Sequence, residues 1–127
     1  MWYLALVFAG LAALVHVYIF VLESLRWEVP ATRAIFGTDE TTAAITRPLA
    51  YNQGFYNLFL AIGTIAGIGL SGPDRDAGVA LVVFATGSML AAALVLVGRD
   101  RSKARAAIVQ GTFPLIALLD LAVWALR

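Results

Sequence analysis

Two ionisable side chains interrupt the first long apolar run of this sequence. His16 and Glu23 lie seven residues apart. On a helix that spacing places them on nearly one face, about 10 Å apart along the axis. An imidazole and a carboxylate so arranged can act as general base and general acid in a proton transfer or an isomerisation. Each also has a plainer reading. Glu23 can snorkel toward a wet boundary beside Arg26, and His16 can make a single interhelical hydrogen bond.

Carboxamides form the second set. The segment Tyr51-Asn52-Gln53-Gly54-Phe55-Tyr56-Asn57 opens another apolar run with three amides in six residues. Gln53 and Asn57 share a helical face that continues to Thr64, and Asn52 and Tyr56 share the adjacent face that continues to Gly63 and Gly67. The two glycines form a G-x-x-x-G pair suited to close helix approach. The amides are therefore either binding groups or packing glue, and Asn52, on the glycine line, fits glue better. In the last apolar run, Pro114 follows Gln110 by four residues. A proline has no N–H to give the carbonyl four residues back, so the Gln110 carbonyl is left free beside its own carboxamide. Asp120 lies on another face and is expected to pair with Arg127 or with the N-terminal amine.

These residues sit in an unusually apolar chain. Of 127 residues, 61% are hydrophobic and 13% are charged, with a mean hydropathy of +0.87. A soluble domain carries about a quarter charged residues. A net charge of +1 leaves no footprint for nucleic acid. With no cysteine and one histidine, disulfides, thiolate sites and multi-histidine zinc sites are excluded, and no metal site is expected. Membrane lipid is the expected surrounding.

A spanning helix needs about 20 mostly apolar residues. Four stretches qualify, at about residues 2–25, 49–70, 77–97 and 106–126, within one domain of residues 1–127. The expected fold is all-α: a polytopic four-transmembrane-helix bundle with a short interfacial segment between the first two spans. In that segment, Pro30 to Phe36 reads as a short helix ended by Gly37, and Thr38 reads as an N-cap. The second helix is expected to start before Pro48 and bend there. Ser71 to Asp74 reads as a turn, and Gly98 to Arg105 as a basic loop. The first span lacks a basic flank and is too long for a signal peptide, so it is expected to stay uncleaved.

Seven of the nine Lys and Arg residues fall in the first and third connections, against Arg75 and Arg127 on the other side. The positive-inside rule then puts those two connections in the cytoplasm and both termini outside. In this orientation Glu23, Asn52, Gln53 and Gln110 lie near the cytoplasmic ends of their spans. His16 and Asn57 lie deeper, and all can face one cavity.

The string His16-Val17-Tyr18-Ile19-Phe20-Val21-Leu22-Glu23, with Trp27, Phe36-Gly37, Asn52 to Ala61 and Gln110-Gly111, resembles a family. It is the group of small four-helix bacterial membrane proteins catalogued as domain of unknown function 1304. The likeness runs along nearly the whole chain, and N-Q-G-x-Y-N is its most specific part. One departure is the pair Thr112 and Phe113 between Gly111 and Pro114, where the resemblance implies a single residue. It implies the fold, a bacterial inner-membrane location and the residues to test, but no reaction and no cofactor.

The leading expectation is a site for a small, partly lipophilic ligand in the cytoplasmic half of the bundle. His16, Glu23, Gln53, Asn57 and Gln110 would supply its polar groups, and Tyr18 and Tyr56 its amphipathic walls, with Asn52 nearby. An enzymatic version would use His16 and Glu23 as the acid/base pair. The alternatives are a small proton-coupled transporter that exchanges protons and substrate at Glu23, and a structural or accessory subunit. A homo-oligomer is compatible with all of them.

Overall fold

Alanine, not leucine, fills the interior of this bundle. Eleven of the fifteen buried apolar residues are alanines, while Leu14, Phe59, Phe84, Val95 and Ile108 are exposed. This inverts the pattern of a soluble core. Hydrocarbon solvates large apolar side chains as well as a protein interior does, so nothing drives them inward. Helices associate instead through small residues that let backbones pack closely.

The computed structural model describes residues 1–127. Helix α1 runs Trp2–Phe20 and continues into a π-helical turn, Val21–Leu25. A short helix, α2 (Pro30–Phe36), follows. Then come α3 (Glu40–Leu70), α4 (Arg75–Arg99), a 3-10 turn (Arg101–Lys103) and α5 (Ala104–Ala125). Four helical stretches are long and apolar enough to cross a membrane: Trp2–Leu25, Glu40–Leu70, Arg75–Arg99 and Arg101–Ala125. The chain is an all-α, multi-pass four-helix bundle. The long helices pack in a ring in chain order, α1–α3–α4–α5–α1, and the diagonal pair α1/α4 barely touches.

Local chemistry explains the helix ends. Gly37 ends α2 at φ 65°, the left-handed cap position that suits glycine. The N-cap of α3 is Asp39, not the expected Thr38: its carboxylate accepts from the Thr42 N–H at 2.7 Å. An ionised acceptor bonds that N–H more strongly than a hydroxyl does, and the bond holds the Asp39 carboxyl below the usual carboxylate range. Asp74 caps α4 through the Ala77 N–H. Asp100 takes the Ser102 hydroxyl and N–H, which pull its carboxyl down in the same way. The expected loop at 98–105 thus shrinks to one extended residue and a 3-10 turn.

At 31 residues, α3 is about 46 Å long, well beyond the ~30 Å of a bilayer's hydrocarbon. It runs as one helix through Pro48. Its first turns carry α2. The Trp27 indole N–H reaches the Ala43 carbonyl (3.1 Å) and the Thr46 hydroxyl (3.2 Å), and its ring meets Phe36 at 4.9 Å. Lys103 donates to the Phe36 carbonyl at 2.8 Å, so the α1–α3 and α4–α5 connections share one end of the bundle. At the other end, Arg75 stacks over Trp2 at 5.4 Å and Trp2 meets Trp124 at 4.8 Å.

The tightest seam is α3 against α4. A Cβ on Gly78 would sit 2.6 Å from the Ser71 Cα and 2.8 Å from the Gly67 carbonyl oxygen. The close pair is thus Gly67 with Gly78. Gly63, the other half of the G-x-x-x-G pattern, has only an ordinary contact to Ala85. Gly78→Ala is expected to destabilise the bundle by about 1–3 kcal/mol, because backbone must move. Gly69→Ala, with open space around it, should be neutral or slightly stabilising. Thermal unfolding of the two variants in one detergent checks the contrast.

Candidate functional site

Glu23 lies inside the π-helical turn that ends α1. Such turns admit an extra residue and re-aim the side chains that follow. Here the turn is fastened to α3 by two hydrogen bonds. The Ser24 hydroxyl donates to the Tyr51 carbonyl at 2.8 Å. Gly54 allows this approach, since a Cβ there would overlap the Ser24 hydroxyl and lie 2.9 Å from the Ser24 N. The Asn57 amide then donates to the Glu23 carboxylate at 2.9 Å and to the Gln53 carbonyl at 3.0 Å. Both amide hydrogens are committed, so the carboxylate is held by a donor that is itself held.

The Glu23 carboxylate is half-buried and faces a pocket of about 300 Å³ at the end of the bundle that carries α2. The pocket is lined by residues 23 through 29 and by Arg47. Its rim carries one ion pair, Arg47 to Glu28 at 3.2 Å. Both partners are well exposed, so the pair adds little stability. With Glu28 matched to Arg47, the charged lining residues left without an ion-pair partner are Glu23 and Arg26. A carboxylate in that setting can hold a cationic or hydroxyl-bearing group, or exchange a proton with the aqueous end. No cluster of three metal-ligating side chains occurs in the chain.

The structure brings Glu23 and Asn57 together and separates the other expected site residues. His16 is fully buried deeper in α1. Its Nδ1 donates to the Ala12 carbonyl of its own helix at 2.8 Å, not across an interface, and its Nε2 has no partner, Glu23 included. Gln110 is half-buried on α5, on the α1-facing side it shares with Phe113 and Ala117. Asn52, Gln53 and Tyr56 are exposed on the outer face of α3, and Tyr18 is exposed on α1. Asn52 and Tyr56 line an external groove of about 410 Å³ with Tyr51, Phe55 and Phe59. The reason lies in phase: the buried line of α3 runs Ala50, Gly54, Asn57, Ala61, Thr64, Gly67, and positions 52, 53 and 56 fall to its sides. Asp120 makes no ion pair with Arg127, because the one salt bridge in the chain is Arg47–Glu28.

Ser24, Gly54, Trp27 and Arg47 belong to the site although none was singled out from spacing. The usable signal was Gly54, a glycine set among amides where a helix needs no glycine. Glu23→Ala, Asn57→Ala and the double variant should show a coupling of about 1–2 kcal/mol in a double-mutant cycle of unfolding. Additive single losses would mean that the two side chains do not interact.

No curated protein and no solved structure matches the chain at a significant level. A family model matches residues 10–122, all but the two ends. The chain belongs to the family described as protein of unknown function DUF1304.

Proposed function

We propose that this protein binds the polar head of a small, partly lipophilic molecule at Glu23, with the basic end of the bundle facing the cytoplasm. The carrying observation is the Glu23 carboxylate, oriented by Asn57, beside a pocket at the membrane edge. A carboxylate at that depth costs free energy and is retained in membrane helices mainly for function. A ligand that enters there keeps its polar group near Glu23 and Arg26 and its apolar part along the pocket-lining side chains Leu25 and Val29. Acid/base chemistry at Glu23 is the catalytic extension of this reading. Proton-coupled export of the same ligand is the transport extension.

Mass spectrometry of molecules retained by the protein in native-lipid discs tests the binding reading. Wild type should enrich one small molecule over bulk lipid. Glu23→Gln should retain about 10- to 100-fold less, the equivalent of a charged hydrogen bond worth about 1.5–3 kcal/mol. Identical extracts from a folded Glu23→Gln protein and wild type would overturn it. Ligand-dependent proton flux in liposomes would add transport to binding.

The orientation rests on the seven cations at the end where Lys103 meets α2. The chain has no native cysteine, so single introduced thiols report cleanly. Gly72→Cys should react with an impermeant maleimide in intact cells, and Ser102→Cys only after permeabilisation. The reverse pattern would invert the assignment.

A further inference from the structure

The one buried side-chain polar atom without a hydrogen-bond partner in this protein is His16 Nε2. The other nitrogen of the ring sets its character. Nδ1 bonds a carbonyl, Ala12 O, and a carbonyl only accepts. The hydrogen therefore sits on Nδ1, and Nε2 of the neutral ring presents a lone pair that needs a donor.

The donors on the buried side chains of the spanning helices are committed. Thr64 and Thr86, both fully buried, give their hydroxyl hydrogens to Leu60 and Val82 of their own helices. Asn57 has given both amide hydrogens to Glu23 and Gln53. A second acceptor lies on α5. Pro114 is buried within α5 and offers no N–H to the Gln110 carbonyl. The contacts Trp2–Trp124 and Phe8–Phe113, with Ala5 and Ala9 packed among Ala117 and Leu121, set the antiparallel register of α1 and α5. That register brings Gln110 level with His16. A histidine side chain leans toward the N-terminus of its helix, and a helix carbonyl points toward the C-terminus of its own. In antiparallel helices the two lean the same way.

We propose that His16 Nε2 and the Gln110 carbonyl form an acceptor pair in the bundle interior that binds a small molecule with at least two hydrogen-bond donors, water or ammonium. A two-donor guest satisfies both lone pairs at once, which surrounding hydrocarbon cannot do. The site lies above the Glu23 pocket and shares no residue with it, so the two readings stand or fall separately.

The single histidine makes the test direct, because one imidazole supplies every ring signal. Nitrogen NMR of the wild-type protein in bilayers should show Nδ1 protonated and Nε2 as a hydrogen-bonded acceptor. Transfer of magnetisation from water to this ring assigns the guest as water. A saturable shift of Nε2 with ammonium, and none with sodium, assigns it as ammonium. An Nε2 signal at the position of a bare acceptor, with neither response, overturns the proposal. Pro114→Ala supplies an N–H to the Gln110 carbonyl and should reduce the guest response several-fold. An unchanged response removes Gln110 and overturns the pair. Gln110→Leu keeps the carbonyl and deletes the side-chain amide. Loss of the Nε2 hydrogen bond in that variant would make the amide the donor and also overturn the proposal. The wild-type spectrum decides the case if either variant fails to fold.

Discussion

Hydrocarbon offers no hydrogen bonds, and the polar side chains of this bundle are arranged by that single constraint. His16, Thr64, Thr86, Ser88 and Thr112 all turn back to the carbonyl four residues earlier on their own helices. Each bond satisfies a hydroxyl or ring N–H without tying one helix to another. Between spans, polar bonds are confined to the α1–α3 seam, at Ser24–Tyr51 and Glu23–Asn57. The rest of the association rests on close packing of alanine and glycine.

The α1–α3 seam is therefore the specified one, and its parts depend on each other. Gly54 admits Ser24, Ser24 anchors the π-helical turn, and the turn presents Glu23 to Asn57. Beyond the turn the chain leaves the helix at Arg26 and returns Trp27 to the first turns of α3. This path lets residues 23 through 29 and Arg47 enclose a pocket. Pocket and seam share the same residues, so a change that relaxes one reshapes the other. The excess length of α3 serves the same end, because 31 residues are more than a span needs and leave turns over to carry α2 and Arg47.

The α4–α5 half has a different character. Asp74 and Asp100 cap the start of α4 and the turn before α5, and no side-chain hydrogen bond joins α4 to α5. A Cβ on Gly111 would come 3.0 Å from the Ala93 Cβ, so close packing again replaces hydrogen bonding. Functional asymmetry follows: the helices with interhelical polar bonds carry the candidate pocket, and those without them brace it.

Composition, apolar run length and turn residues were enough to read four spans and the short helix ended by Gly37. Those features follow from the hydrophobic effect and local backbone chemistry, which act over a few residues at a time. Glu23 and Asn57 were legible as polar residues that hydrocarbon does not favour. Their pairing was not, because the seven-residue spacing from His16 assumes an unbroken α-helix and the π turn changes the phase. Likewise Asn52, Gln53 and Tyr56 were readable as polar, but only the packed line through Gly54 and Asn57 decides that they face outward. A sequence states what each residue needs; which neighbour meets that need depends on helix phase and interhelical distance, and both are set by packing between segments far apart in the chain.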